Sequence, residues 1–233
     1  MTDKRIGIIG AMRVEIEALA AALTEPQTEK ISGIVFHTGT LDGRPVVLAV
    51  CGVGKVFAAL CAQTMILRFG VSAILNTGVA GTLTDRLSVG DIAVASDVVE
   101  HDMDTSPLGD PPGLISGLNL IHMPADGTLC AAVTAALDAA GGKYLCGTIA
   151  SGDVFVADAA RKALIRERFG AIACEMEGAA IGQVCTVNRV PFAVIRAISD
   201  GGDEDASMDY PSFVKMAASR SASVVHAALA RLA

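Results

Sequence analysis

The chain has 233 residues, a formal net charge of −7 and 52% hydrophobic residues. This length and apolar content predict one domain, 1–233, with a substantial core. The negative charge, which no cluster of Lys and Arg interrupts, argues against a nucleic-acid partner. No apolar run approaches the roughly 18 residues that span a bilayer, and the glycine-broken amino terminus is too short for a signal peptide. We therefore expect a cytoplasmic protein with no membrane partner.

Cysteine and histidine spacing gives no indication of a metal site. The six cysteines form no CxxC pair, and the four histidines are scattered without zinc spacing. Buried free thiols in a reducing compartment are the simplest interpretation. Gly7 and Gly10 do not meet the G-x-G-x-x-G spacing of a dinucleotide site, so we expect neither a metal nor a cofactor.

The first half of the chain alternates strand and helix patterns. IGIIGAM and VEIEALAAAL predict a buried strand, a glycine turn and an amphipathic helix. ISGIVFHTGTLDGRPVVLAV predicts a hairpin that turns at Asp42-Gly43. KVFAALCAQTMILRFG predicts a helix, SAILNT a short buried strand that ends at Thr77 before GVAGTL, and DIAVASDVVEHD a further strand.

The second half continues the alternation after an interruption. Prolines and glycines over 103–123 predict a long irregular loop. TLCAAVTAALDAAG predicts a helix, KYLCGTIASGDVF a strand, and DAARKALIRERFG a helix capped by Asp158. GGDEDASMDYP predicts a solvated, mobile loop before a closing helix with Pro211 in its first turn. The predicted fold class is α/β: a three-layer αβα sandwich with a central mixed, mostly parallel twisted sheet.

The stretch 172–200 places carboxylates beside apolar runs. Glu175 and Glu177 are predicted at a strand-to-helix junction, and Asp200 at the carboxyl end of the next strand. Ligands of α/β sheets bind at such strand ends. Taken alone, each carboxylate is more often a helix N-terminal charge or the start of a loop. We also expect Glu175 and Glu177 to point to opposite faces of a strand, so that both hardly serve one site.

Six loops at predicted strand ends carry short motifs: GAMRVEIE (10–17), CGVGK (51–55), NTGVAG (76–81), SGDVF (151–155), CEMEG (174–178) and RAISD (196–200). As an ordered set they resemble the nucleoside phosphorylase and hydrolase superfamily, specifically the bacterial 5'-methylthioadenosine/S-adenosylhomocysteine nucleosidases. The resemblance covers nearly the whole chain and is weakest between 102 and 124. It implies a nucleoside phosphorylase-like fold, a homodimer, and hydrolysis of the bond between adenine and a 5'-thio-substituted ribose.

The resemblance also implies roles for individual residues. Asp200 would protonate adenine N7, and Glu15 would activate a water on the opposite side of the sugar. Glu177 would bind ribose hydroxyls and stabilise positive charge on the sugar ring. The other substrate-binding candidates are Met12 and Met176 against the sugar and thio group, Phe155 stacked on adenine, the Val156 backbone at its edge, Ser199 supporting Asp200, Tyr210 or Phe213 over the 5' substituent, and Val53, Val79, Glu175 and Arg196. Arg196 could instead pair with a neighbouring acid, and apolar candidates in such a chain are often core.

Hydrolysis is favoured over phosphorolysis on electrostatic grounds. A phosphorylase must hold a phosphate dianion, whereas NTGVAG is uncharged and Glu15 would repel the anion. Arg13 complicates this interpretation, since it could face solvent or bind an anion. Val79 stands where some nucleosidases have a serine near the catalytic water, and loop 103–123 departs from the family. Futalosine-type hydrolases are the near alternative, and a non-catalytic nucleoside-binding or storage protein is the alternative of another class.

Overall fold

The computed structural model describes residues 4–200 and 206–232, and the side chains of 4–200 and 213–232. Its strands and helices, in chain order, are β1 (Ile6–Gly10), α1 (Arg13–Ala21), β2 (Thr24–Ile31), β3 (Ile34–Leu41), β4 (Arg44–Val50), α2 (Lys55–Phe69), β5 (Ala73–Thr82), β6 (Ile92–Glu100), β7 (Met123–Pro124), α3 (Gly127–Ala139), β8 (Tyr144–Ser151), α4 (Ala159–Phe169), β9 (Ala173–Glu175), α5 (Gly178–Asn188), β10 (Phe192–Asp200) and α6 (Ala206–Leu229).

Helices cover both faces of the sheet, and neighbouring residues of a central strand reach opposite faces. In the fully buried β1, Ile8 packs into a cluster with residues of α1, α3 and α6, whereas Ile9 packs into a cluster with residues of α2 and α5. Burial on both faces explains why the central strands are continuous apolar runs without alternation. The α/β prediction and the mixed sheet are confirmed.

The strand order is β10-β6-β8-β9-β5-β1-β4-β3-β2, and β10 also pairs with β5. Strands β5, β6, β8, β9 and β10 therefore close into a five-stranded ring. In the described sheet five strand pairings are parallel and five are antiparallel. The central layer is not open throughout, because the three-residue β9 bridges β8 and β5.

Three element predictions need correction. Strand β2, which pairs antiparallel with β3 at the edge of the sheet, was missed because it is polar, largely exposed and contains Pro26. Strand β5 continues through GVAGT to Thr82 rather than ending at Thr77. Helix α6 begins at Ala206, so the predicted loop does not extend to Pro211. The rest of that loop, 201–205, lies outside the described residues.

The other predicted elements are confirmed to within a few residues. The hairpin turns at Asp42-Gly43 between β3 and β4, and the Asp158 side chain accepts a hydrogen bond from the Arg161 N–H at the start of α4. The segment 103–122 is irregular apart from a 3₁₀ turn, Ser106–Leu108, and an isolated bridge between Ile115 and Leu120. Within the described ranges, no helix combines the length and apolar character needed to cross a membrane.

Candidate active site

One cavity lies where the carboxyl ends of β1, β5 and β10 meet β9 and the loops after β4 and β8. It encloses about 580 Å³ of empty space, its open mouth included. The lining residues are Ala11, Met12, Glu15, Val53, Val79, Ala80, Gly81, Val154, Phe155, Val156, Cys174, Glu175, Met176, Glu177, Ser199 and Asp200. All six motifs thus contribute lining residues, and RAISD contributes Ser199 and Asp200 from the end of β10. The cavity is mostly apolar with a few converging carboxylates, as small-molecule sites commonly are.

Glu15 enters the cavity from the third position of α1. Its carboxylate accepts hydrogen bonds from the N–H groups of Ala11 (2.7 Å), Met12 (2.8 Å) and Val79 (3.2 Å). The first two bonds are those of a helix-capping glutamate that reaches back to the chain before its own helix. Burial raises the pKa of Glu15 above its usual range, while the positive charge of Arg196 and the three N–H donors oppose the rise. The result is a buried carboxylate with fixed orientation and raised basicity.

Two glycines of β5 allow the acidic side chains to approach the strand. A Cβ at Gly78 would lie 2.6 Å from Glu15 Oε1, and a Cβ at Gly81 would lie 2.7 Å from Asp200 Oδ2. Neither distance is compatible with a side chain, so the glycines of NTGVAG are required by close packing of carboxylates rather than by turn geometry. This explains why the motif lies inside a strand.

Asp200 lies at the end of β10, where the register with β5 shifts. Ile198 pairs with Ala80 and Asp200 with Gly81, so Ser199 is an additional residue, a bulge. Bulges redirect side chains, and here the Ser199 hydroxyl donates to Asp200 Oδ1 at 3.1 Å instead of pointing to the other face. The Lys162 ammonium of α4 lies 3.5 Å from Asp200 Oδ2, and both side chains are buried.

Glu175 connects several elements around the site through its hydrogen bonds. Its carboxylate accepts hydrogen bonds from the Arg196 guanidinium, the Ser151 hydroxyl and the N–H groups of Glu177 (3.0 Å) and Gly178 (2.8 Å). The last two N–H groups lie at the start of α5, where they have no acceptor within the helix itself. Glu175, rather than Glu177, therefore caps that helix. Both carboxylate oxygens of Glu175 therefore accept hydrogen bonds from the protein itself.

Arg196 lies behind the cavity wall and is 1% exposed. Besides Glu175, its guanidinium donates to the Asn76 side chain and lies 3.9 Å from Glu177. Burial by itself lowers the pKa of Arg196, but the negative charges of Glu175, Glu177 and Glu15 outweigh this and raise it. The positive charge of Arg196 therefore offsets the negative charges of three buried acids, Glu175, Glu177 and Glu15.

Glu177 faces the cavity because Glu175 takes over the capping of α5. Its carboxylate accepts the N–H of Gly54 at 2.9 Å, from the CGVGK loop. Burial and the neighbouring Glu175 charge raise the pKa of Glu177 to about 7. A group with this pKa exchanges protons readily at neutral pH and can accept or donate hydrogen bonds to a polar ligand.

The carboxylates of the cavity disfavour the binding of an anion there. None of the described residues that line it is Arg or Lys, and Arg13 is exposed on α1 outside the lining. The Cys174 thiol is no nucleophile, since burial raises its pKa to about 12. The chemistry available at this cavity is therefore that of carboxylic acids and carboxylates.

A family model described as the phosphorylase superfamily matches residues 5–230. This chain belongs to that superfamily. Among curated relatives, the 5'-methylthioadenosine/S-adenosylhomocysteine nucleosidase of Shewanella frigidimarina is 39% identical over 229 residues, which cover 98% of this chain and all of the relative.

Solved structures agree with the superfamily assignment. The Helicobacter pylori 5'-methylthioadenosine/S-adenosylhomocysteine nucleosidase superposes with a TM-score of 0.96 at 36% identity and covers 100% of both chains. The Neisseria meningitidis nucleosidase in complex with methylthio-immucillin-A has a TM-score of 0.95 at 35% identity, over 98% of this chain and 100% of that one. The Helicobacter pylori futalosine hydrolase also has a TM-score of 0.95 at 35% identity, over 99% of each chain.

Most of the residues predicted for the site line this cavity. Glu15, Asp200 and Glu177 do so, as do the other predicted binding residues Met12, Val53, Val79, Phe155, Val156, Glu175, Met176 and Ser199. Arg196 does not, because it is buried behind Glu175 and pairs with acids. Phe213 is not among the lining residues, and the Tyr210 side chain lies outside the described residues.

The expectation that Glu175 and Glu177 hardly serve one site was wrong. Both line the cavity, since β9 ends at Glu175 and Glu177 already stands at the start of α5. Even in a continuous strand, residues two apart share a face. What separates their roles is hydrogen bonding, because Glu175 is consumed by capping and Glu177 is directed at the cavity.

Several residues of the site were not predicted. Asn76 fixes Arg196 while its own amide donates to Ile9 O at 2.9 Å, and Ser151 bridges Glu175 and the Ala179 N–H. Lys162 beside Asp200 was also missed. Its spacing from Ile165 and Phe169, three and seven residues on, matches the buried side of α4 and could have indicated burial.

Proposed function

We propose that this protein hydrolyses the N-glycosidic bond of 5'-methylthioadenosine and S-adenosylhomocysteine, releasing adenine and the 5-thioribose product. The observation that carries the proposal is the convergence of Glu15, Glu177 and Asp200 on one cavity that no described Arg or Lys lines. The names of the full-length relatives at about 39% identity support this substrate class.

Bond cleavage needs a proton at the purine. As the C1'–N9 bond breaks, its electron pair moves to the adenine ring, and the Asp200 O–H bond breaks as an N7–H bond forms. Ser199, which donates to Asp200 Oδ1, fixes the orientation of the acid. Placement of an acid within hydrogen-bond reach of the leaving group is the usual contribution of general acid catalysis.

Attack by water needs a base on the other side of the sugar. A water donates one proton to Glu15 while its oxygen forms a bond to C1', which has gained positive charge. The N–H groups of Ala11, Met12 and Val79 hold this carboxylate in place, and burial raises its basicity. Because Val79 contributes through its backbone, the absence of a serine at that position removes no contact to Glu15.

The remaining lining residues would bind the substrate. Glu177 would accept hydrogen bonds from ribose hydroxyls, and its charge would stabilise the cationic ring in the transition state. Phe155 would stack on adenine, with the Val156 backbone at its edge, and Met12 and Met176 would contact the sugar and sulfur. Tyr210 or Phe213 would cover the 5' substituent.

We also propose a homodimer of single-domain subunits in the cytoplasm. Large apolar side chains are exposed along one side of α2 and the end of α5: Val56, Phe57, Leu60, Leu67 and Val187. A contiguous apolar surface of this kind favours a protein partner. All six cysteines are free thiols, which fits a reducing compartment.

The proposal is tested by adenine release from 5'-methylthioadenosine in phosphate-free buffer, repeated with added phosphate. Release that needs no phosphate supports hydrolysis. Release seen only with phosphate would make the protein a phosphorylase and remove the base role of Glu15. Asp200→Asn should abolish turnover with the fold intact, and a mutant with near-normal activity would exclude Asp200 as the acid.

Futalosine-type nucleosides are a second substrate candidate. The observation in its favour is the match to the Helicobacter pylori futalosine hydrolase, which has the same TM-score and identity as the match to the Neisseria meningitidis nucleosidase. Comparison of kcat/KM for 5'-methylthioadenosine, S-adenosylhomocysteine and aminodeoxyfutalosine ranks the candidates. A protein that binds all three without releasing a base would instead be a non-catalytic nucleoside-binding protein.

A further inference from the structure

Lys162 is a buried cation on an otherwise hydrophilic helix. Its neighbour Arg161 and Arg166, one turn further along α4, are exposed, whereas Lys162 is 6% exposed. Its Nζ atom has no hydrogen-bond partner among the described residues. The cation lies 3.5 Å from Asp200 Oδ2. A buried ammonium is costly unless an opposite charge balances it, so the position of Lys162 calls for a negative charge on Asp200.

We propose that Lys162 is a positioning residue for the reaction, which acts through Asp200 by stabilising the carboxylate that remains after proton transfer. In this step the Asp200 O–H bond breaks, the adenine N7–H bond forms, and the negative charge stays on the Asp200 oxygens. Lys162 gives up no proton in this step and needs no contact with the substrate. This inference rests on the proposed role of Asp200 as the acid.

The surroundings of Asp200 explain why a cation is needed there. Within the part of the chain that the structure describes, the other ionisable groups at this region are Glu175 and Cys174 of β9, Glu177 at the start of α5, Arg196 behind the two glutamates, and the more distant Arg161 of α4. Cys174 stays neutral, and the two glutamates disfavour a further negative charge. Among the described residues, Lys162 is the cation that forms an ion pair with Asp200. An opposite charge at such a distance typically lowers the pKa of a carboxyl by about 1–3 units.

The direction of the effect on catalysis follows from the role of the acid. The acid must be protonated to act, so activity falls at alkaline pH as Asp200 loses its proton. This fall in activity is the alkaline limb of the pH–activity profile. The charge of Lys162 moves the limb to lower pH and makes the protonated Asp200 a stronger proton donor. Removal of the charge should therefore move the limb to higher pH and lower the plateau kcat, whereas a purely structural lysine would leave the position of the limb unchanged.

A second cavity, which lies beside α4, determines which substitution of Lys162 is informative. Thr82, Leu83, Thr84 and Asp85 line it on one side, and Ala159, Lys162, Ala163 and Arg166 on the other. Truncation of Lys162 to Ala would join this cavity to the space around Asp200 and admit water. Met keeps most of the side-chain volume without the charge, so Lys162→Met is the informative change.

The experiment is the pH profile of kcat and kcat/KM for 5'-methylthioadenosine with Lys162→Met, Lys162→Arg and the exposed control Arg166→Met. We expect the alkaline limb of Lys162→Met to move up by about 1–3 pH units, with KM changed less than twofold. Lys162→Arg and Arg166→Met should keep the wild-type limb. A wild-type limb in Lys162→Met overturns the inference.

Two further measurements keep the outcomes distinct. Asp200→Asn is assayed in parallel: if it is active, the proposed function fails, and if it is inactive while the limb of Lys162→Met has not moved, only the role of Lys162 fails. Should Lys162→Met not fold, as judged by circular dichroism, Lys162→Gln decides. Because Gln removes the charge but keeps a polar side chain, a limb that moves to higher pH supports the inference, and an unmoved limb overturns it.

Discussion

Replacing Arg196 by Met should destabilise the fold strongly at neutral pH. The guanidinium is 1% exposed, forms the ion pair with Glu175, and also offsets the charges of Glu15 and Glu177. Removing one partner of a buried ion pair typically costs about 3–5 kcal/mol, because the other charge stays buried without compensation. This is a large part of the roughly 5–15 kcal/mol by which proteins of this kind are stable.

The cost should depend on pH, and its sign follows from linkage. The folded-state pKa of Glu177 is raised to about 7, because of burial and the Glu175 charge. A raised carboxyl pKa means that the folded state binds the proton more tightly than the unfolded state, so stability falls as pH rises from about 4.5 towards 7. Without Arg196 the pKa values of Glu15 and Glu177 should rise further. The loss in the variant should therefore be greatest above neutrality and shrink on acidification.

Urea unfolding followed by circular dichroism measures this loss at slightly alkaline and at mildly acidic pH. Arg13→Met is the matched control, since Arg13 is exposed and should cost little. Adding Glu175→Gln to Arg196→Met should recover part of the lost stability, because one uncompensated charge is removed. A loss below about 1 kcal/mol at alkaline pH, or an equal loss at both pH values, would refute the account of Arg196 as the shared counter-charge.

Three other changes probe the site. Glu15→Gln should lower kcat by about 10²–10⁴-fold while nucleoside still binds, because only the base is lost; unchanged kcat with weakened binding, measured by titration and turnover, would contradict this. Gly81→Ala should lower kcat by on the order of 10²-fold, since its Cβ would lie 2.7 Å from Asp200 Oδ2 and displace the acid; Gly117→Ala, whose Cβ would meet no atom within 4 Å and whose φ is not positive, is the control at an exposed position and should leave turnover unchanged. Ser151→Ala should cost about 1–3 kcal/mol in urea unfolding, because the buried Ala179 N–H loses its acceptor; an unchanged midpoint would show that water replaces the hydroxyl.

The residues that sequence reasoning found share one property: each lies in a short motif at the end of an apolar strand. Asp200 and Glu177 could be located in this way, and the resemblance supplied their roles together with that of Glu15. Lys162 was missed because RKALIRERF contains several charges and resembles a solvated helix face. Its burial depends on which side of α4 docks onto the sheet, which is a tertiary property.

The errors in the fold have the same origin. Nothing local to Ala173–Glu175 indicates that three residues bridge two distant strands, and the polar composition of Thr24–Ile31 is uncommon for a strand. Both segments are strands because of what they pair with. Similarly, the glycines of β5 were interpreted as a loop, since their structural reason is the approach of Glu15 and Asp200 from other parts of the chain.

The closed ring of strands has a consequence for how the site moves. In an open sheet a terminal strand can separate by breaking hydrogen bonds on one side only, but β5 and β10 are each paired on both sides, and β5 also pairs with β1. Asp200 belongs to β10, and Gly78 and Gly81, against which the Glu15 and Asp200 carboxylates pack, belong to β5. Fluctuations that move Asp200 away from β5 therefore require sub-global opening of the ring. We expect substrate entry to depend instead on the loops at the mouth, while Asp200 keeps its place beside Gly81.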